Sequence, residues 1–187
     1  MAFPDILHVV DYDPGRHMGP GRSVPSLCRA ERRLGLDARM LNLRDRRVLV
    51  HGSEPGEPDY VSRPLDPRDV AAVMENSGLV HFNNFFHPPF VVLARQCRKG
   101  GVPYVVCPRG NLVRAALRTQ RPVRKRLALA IAGRNFVLAS RSLHFLTEAE
   151  ARASERFGHP YLVAPNGVDA PPAAAVQPAR PRSRRLT

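Results

Sequence analysis

Apolar positions along the chain change period again and again, from near-continuous short runs to stripes three or four residues apart. Ile6, Leu7, Val9 and Val10 crowd the segment Asp5 to Asp11, as in a strand buried on both faces. The Gly/Pro-rich stretch Pro14 to Arg22 predicts a loop, and Ser23 a cap for a helix striped by Leu27, Ala30 and Leu34 and stopped at Gly35. Ala38 to Leu43 predicts the second strand. Arg44 to Pro64 is dense in Gly, Pro and charge and reads as a loop excursion, with Val48 to Val50 a short strand inside it. Asp66-Pro67 is a cap and first-turn pair, predicting a helix over Pro67 to Asn76 with Val70, Val73 and Met74 inward. Gly78 then releases a strand, Leu79 to Phe82.

The alternation continues downstream. A helix is predicted over Pro89 to Arg98, stopped at Gly100-Gly101, then a strand over Pro103 to Cys107 and a longer helix over Val123 to Ala139. Ser142 to Leu146 reads as a strand. Thr147 and Glu150 stand at capping-box spacing and predict a helix to about Phe157, followed by a last strand, Tyr161 to Ala164. Strands alternating with helices at this spacing specify an α/β fold, with a mainly parallel sheet, helices on both faces and right-handed crossovers. The expected organisation is one domain over residues 1–169 and a disordered tail over 170–187. That tail is rich in Pro, Ala and Arg and cannot bury enough apolar surface to offset its ordering entropy.

Composition changes this picture in one respect. A chain of 187 residues with 43% apolar and 24% charged residues is an ordinary soluble domain, but its net charge of +13 is not ordinary. The excess is almost all arginine, since Lys99 and Lys125 are the only lysines. Such a balance favours phosphorylated substrates, an anionic membrane surface or nucleic acid. Four arginines, 180, 182, 184 and 185, lie in the tail, and the body is basic without them. No apolar run approaches the roughly 20 residues needed to cross a bilayer, and no signal peptide opens the chain, so the expected location is the cytoplasm. Cys28, Cys97 and Cys107 sit in apolar segments without C-x-x-C spacing and read as buried, reduced thiols.

Candidate chemistry gathers where strands end. Gly19-Pro20-Gly21 precedes the first helix, where glycines admit a phosphate to backbone N–H groups and Arg22 adds charge; a flexible connecting loop is the alternative. His81 and His87 flank Asn83-Asn84-Phe85-Phe86. The first reads as a packed strand histidine, whereas the second, followed by Pro88 and Pro89, is open to either a structural or a functional role. No third ligand stands at matching spacing, so no metal site is expected. Arg109-Gly110-Asn111 follows a strand directly, where a guanidinium suits phosphate or sugar hydroxyls. Arg114, Arg118, Arg121, Arg124, Lys125 and Arg126 run into Leu127, Leu129 and Ile131 as a basic amphipathic segment, which suits a solvated face or anionic lipid. Nucleophile-elbow and Walker motifs are absent. Helix-turn-helix, zinc-finger and single-strand-platform patterns are absent too, so no specific nucleic-acid partner is expected.

Five signatures occur in order: Val80-His81-Phe82, His87-Pro88-Pro89, Pro108-Arg109-Gly110-Asn111-Leu112, Leu146-Thr147-Glu148-Ala149-Glu150 and Pro165-Asn166-Gly167-Val168-Asp169. Together they resemble the N-terminal, Rossmann-like domain of the family-4 type of retaining glycosyltransferases, over about residues 5 to 169. The resemblance implies transfer of a sugar from a nucleotide-sugar to a glycan or lipid-linked acceptor, with no cofactor and usually no required metal. It implies phosphate-side contacts from Gly19, Gly21 and Arg22, acceptor-side contacts from His87, Arg109 and Gly110, and a domain linker at Asn166-Gly167. Many relatives carry histidine where Arg109 stands. Family members also carry a donor-binding second domain, which does not follow here, so the chain is expected to be truncated and not competent alone. The alternative is a noncatalytic module that docks on a separate donor-binding subunit or peripherally on the inner face of an anionic membrane.

Overall fold

In the computed structural model the described residues are 4–12, 19–51, 60–64, 66–119 and 122–167. Eight strands share one sheet: β1 (Ile6–Val10), β2 (Ala38–Asn42), β3 (Arg47–His51), β4 (Tyr60–Pro64), β5 (Leu79–Phe82), β6 (Tyr104–Val106), β7 (Ser142–Phe145) and β8 (Tyr161–Val163). Their order is β4-β3-β2-β1-β5-β6-β7-β8. β2, β1 and β5 to β8 run parallel, while β3 and β4 continue the sheet antiparallel beyond β2. The chain leaves β1 toward β2 and later returns to β1's other side with β5. That reversal opens a crevice at the carboxyl ends of the strands, where α/β sheets bind ligands.

The period-2 rule sorts the two faces. Leu7, Val9, Leu41, Val80, Phe82 and Val106 point to one side, into the larger core. There they meet α2 (Pro67–Glu75), α3 (Pro88–Lys99), α4 (Arg114–Arg118) and α7 (Glu148–Ala153). The same side holds one long helix built from α5 (Pro122–Ala128), a π-helical turn (Leu129–Gly133) and α6 (Arg134–Leu138). Phe82 anchors this core, its ring 5.2 Å from Phe90 and 5.3 Å from Phe136, and the Tyr104 hydroxyl donates to the Phe136 carbonyl at 2.8 Å. On the other face His8, Val10, Ala38 and Met40 lie under α1 (Gly19–Arg33), which contributes Val24 and Cys28. Gly78 is required by close approach, because a Cβ there would lie 2.8 Å from the Asp5 carbonyl oxygen at the start of β1.

Three expectations need correction. Ser23 does not cap α1, which begins four residues earlier at Gly19; the Ser23 hydroxyl donates back to the Gly19 carbonyl at 3.1 Å. The excursion after Arg44 holds two strands rather than one short piece, because β3 and β4 pair along five residues and β3 pairs on β2. The helix after β7 stops at Ala153, short of Phe157. Ser154 turns extended to bridge Val113, and the Glu155 N–H donates to the Leu112 carbonyl at 2.8 Å. The tail expected to be disordered lies outside the described residues.

Candidate functional site

At the crevice, side chains from four strand ends interlock. Beyond β1, the Tyr12 backbone is held by the Asn42 side chain, whose Oδ1 accepts the Tyr12 N–H at 3.2 Å and whose Nδ2 donates to the Tyr12 carbonyl at 3.1 Å. This fixes Asp11, whose carboxylate takes Arg44 Nε at 3.3 Å on one oxygen and His87 Nδ1 at 2.9 Å on the other. His87 occupies the N-cap position of α3 and makes no side-chain cap bond. Its affinity for a second proton is lowered by burial first and by the Arg44 charge, and Asp11 pulls the other way. We therefore read the Asp11 contact as a hydrogen bond from a neutral imidazole, not as an ion pair. Nδ1–H points at the carboxylate, and Nε2 is left as an acceptor.

The other half of the crevice is centred on Arg109. Its backbone is left-handed, with φ of 48°, and Gly110 follows at 80°, so the chain turns sharply just past β6. The guanidinium donates to Ser23 Oγ at 3.2 Å and to Asn83 Oδ1 at 2.8 Å, while its Nε is buried with no partner among the described residues. Both terminal nitrogens thus work inside the fold, tying the first turns of α1 to the end of β5. The Gly110 N–H donates to Glu150 Oε1 at 2.6 Å, and Asn111 Nδ2 donates to Asn84 Oδ1 at 2.6 Å. Glu150 does not complete the expected capping box. Its N–H does donate to Thr147 Oγ1 at 3.0 Å, but its carboxylate reaches past Thr147 to the Leu146 N–H at 3.0 Å and across to Gly110.

The Gly19-Pro20-Gly21 motif lies in the first turn of α1 rather than in a loop, and residues 13–18 before it are outside the described residues. Gly21 packs on the Tyr12 ring and Arg22 is exposed on the helix. Asn166 and Gly167 are exposed beyond β8. Of the residues singled out in the sequence, the structure joins Arg109 to α1 through Ser23 and sets His87 with Asp11 and Arg44. Asp11, Asn42 and Glu150's second role were not found from sequence, although Asp11 and Asn42 stand where carboxyl-end ligands should, at or just past strand ends.

Two clefts meet at His87. One, of about 720 Å³, lies between α2 and α3 and is lined by Asp11, Arg44, Arg46, Val70 and His87. The other, of about 410 Å³, is an apolar groove between α3 and the long π-containing helix, lined by Phe85, Phe86, Val92, Leu127 and Ile131. Val123, Leu127 and Ile131 stand one turn apart and are 78%, 58% and 65% exposed, an unusual apolar stripe on a surface helix.

The three thiols are buried and free of disulfides, as the sequence suggested. Burial pushes Cys107 up to about 11 and Cys97 up to about 12, so both are protonated. His81 is buried and hydrogen-bonded on β5, as expected of a packed strand histidine.

A family model described as a glycosyl transferase 4-like domain matches residues 18–167. The chain belongs to this family. No curated protein matches it. The glycosyl transferase 4-like domain therefore spans nearly all of the described sheet, from α1 through β8, and the crevice just described is its strand-end surface. Membership gives sugar transfer as the general activity, with a sugar donor and an acceptor as ligands. Among the domain's described residues no helix is long and apolar enough to cross a membrane.

Proposed function

We propose that this domain forms the acceptor side of a transfer from a nucleotide-sugar to a lipid-linked glycan. The observation that carries the reading is the place of His87, oriented by Asp11 where a largely apolar cleft bearing Asp11, Arg44 and Arg46 meets an apolar groove. An amphiphilic acceptor needs that combination. Its aliphatic part fits the groove between α3 and the long helix, and its nucleophilic hydroxyl meets the acceptor lone pair of His87 Nε2. Arg109, expected on the acceptor side, donates to Ser23 near the start of α1, and with exposed Arg22 on that helix it brings positive charge toward a leaving diphosphate. The apolar stripe beside exposed Arg114 and Arg118 favours delivery of the acceptor from an anionic membrane surface.

The test is calorimetric titration of the chain with a polyprenyl-diphosphate-linked sugar in neutral detergent. Ile131→Glu, which charges the groove, is expected to weaken binding at least tenfold, and His87→Gln several-fold. Equal affinity for wild type and Ile131→Glu removes the groove from the reading. Binding to anionic vesicles that is indifferent to the attached sugar would point instead to a noncatalytic membrane-docking module.

A further inference from the structure

On the α1 side of the sheet, histidines from three strands form a continuous chain. His8 Nε2 meets Glu31 Oε2 at 2.7 Å, His8 Nδ1 meets His81 Nδ1 at 3.1 Å, His81 Nε2 meets His144 Nδ1 at 3.2 Å, and His144 Nε2 meets the Ala164 carbonyl at 2.8 Å. Each of these four contacts needs one proton. Three neutral imidazoles carry three, and both ends of the chain are acceptors. The Ala164 carbonyl obliges His144 to place its proton on Nε2, and the Glu31 carboxylate obliges His8 to do the same. His144 Nδ1 and His8 Nδ1 are then lone pairs, the second also reached by Asn83 Nδ2 at 3.5 Å, and His81 has one proton to serve both neighbours. With that proton on Nδ1, toward His8, two lone pairs face each other between His81 Nε2 and His144 Nδ1.

A third ligand stands at this gap. Cys107, just past β6 between the two histidine-bearing strands, places its sulfur so that it and one ring nitrogen of each histidine all lie within 4.8 Å of one another. We propose that His81 Nε2, His144 Nδ1 and the Cys107 thiolate bind one transition-metal ion of the zinc class, with the fourth tetrahedral position left to a water. On coordination the Cys107 S–H bond breaks, its proton passes to solvent, and sulfur and both nitrogens donate lone pairs to the ion, with no change in oxidation state. Ligands at about 2.0–2.1 Å in tetrahedral array stand about 3.3 Å apart, close to the 3.2 Å between these nitrogens. The mixed nitrogen and sulfur set selects a borderline-soft cation. The outer shell is also that of a metal site: His144 donates its remaining N–H to the Ala164 carbonyl, and His81 donates to His8, which donates to Glu31.

The neighbouring cluster of His8, Cys28 and Glu31 is less suited, because the His8 Nε2 proton is already spent on Glu31 at 2.7 Å. A second proton on the chain is the rival occupant of the gap. The absence of a metal site expected from residue spacing does not bear on this cluster, because its ligands come from three strands that only the sheet brings together. The ion would pin β5, β6 and β7 together beneath the Arg109 turn.

The experiment is titration of the metal-stripped chain of 187 residues with Co²⁺ and Zn²⁺. The expected result is a sulfur-to-cobalt charge-transfer band saturating at one ion per chain, displaced by Zn²⁺. Cys107→Ala should abolish the band, Cys97→Ala should keep it, and Glu31→Gln should weaken binding about 10-fold or more. Should Cys107→Ala fail to fold, histidine nitrogen NMR of the wild-type chain decides: Zn²⁺ must shift the His81 Nε2 and His144 Nδ1 signals. A folded wild-type chain with no cobalt band, or with those two signals unmoved, overturns the site and leaves a proton in the gap.

Discussion

Glu150 holds Gly110 across the crevice, its Oε1 accepting the Gly110 N–H at 2.6 Å while its Oε2 takes the Leu146 N–H at 3.0 Å. One carboxylate thereby fixes the turn after β6 against the end of β7. It also sets the left-handed pair Arg109 and Gly110, and with them the direction of the guanidinium.

Removing that carboxylate strands two backbone donors. Glu150→Ala is expected to destabilise the domain by about 2–4 kcal/mol, since hydrogen bonds to a charged group each contribute roughly 1.5–3 kcal/mol. Glu150→Gln keeps one acceptor oxygen and should lose about half as much. Chemical denaturation followed by circular dichroism measures both. A loss below about 0.5 kcal/mol for the alanine variant would mean water replaces the carboxylate at no cost.

Arg109 and Asn83 offer a second test, because their 2.8 Å bond links β6's turn to β5's end. A double-mutant cycle with Arg109→Ala and Asn83→Ala should give a coupling energy of about 1–2 kcal/mol. Arg109→Lys should behave like the alanine variant, because an ammonium cannot span Ser23 and Asn83 as the fork does. Additive effects of the two alanine substitutions would show that the bond carries no stability.

The pH dependence of His87 follows from its surroundings. Its folded-state affinity for a proton is lowered from an ordinary value of 6.5, with burial the largest cause. The unfolded chain therefore binds more protons than the folded one as pH falls, so the contribution of neutral His87 is complete above about pH 6.5 and is lost as pH drops through the lowered folded value. Stability of wild type relative to His87→Gln should be flat above that pH and decline below it. Arg44→Ala should raise the His87 titration midpoint in an NMR titration, and Asp11→Asn should lower it further. Opposite shifts would mean that the two charges do not reach the ring as the distances indicate.

Most of the sheet was legible because parallel strands buried on both faces, such as Ile6 to Val10 and Leu79 to Phe82, write themselves as short apolar runs. β3 was legible only as the short piece Val48 to Val50 and β4 not at all, because Gly, Pro and charge surround them and their partner strands, not their own pattern, make them full strands. In the site, Arg109 and His87 were visible as charged or titratable groups at strand ends. The partners that orient them were not, since Asp11 with His87 and Ser23 with Arg109 lie far apart in sequence. The histidine chain was hidden for the same reason: His8, His81 and His144 look like isolated strand residues until the parallel register sets them side by side.

The two glycines of Gly19-Pro20-Gly21 separate a packing role from a phosphate-binding one. A Cβ on Gly21 would lie 2.8 Å from Tyr12 Cε2, and Asn42 holds the Tyr12 backbone from both sides, so the ring can yield only by turning about its own side-chain torsions. Gly21→Ala should therefore destabilise by about 1–3 kcal/mol, the cost of overpacking, and a Tyr12→Leu background should recover part of that. Among the described residues a Cβ on Gly19 meets nothing within 4 Å, and Gly19 is the first residue of α1, so Gly19→Ala should change stability by less than about 0.5 kcal/mol. Thermal melts of the variants, read beside nucleotide-sugar titrations, decide between the roles. If Gly21→Ala keeps wild-type stability and loses donor affinity, the glycine is there to admit a phosphate; if it loses stability and binds donor as before, it is there to seat Tyr12.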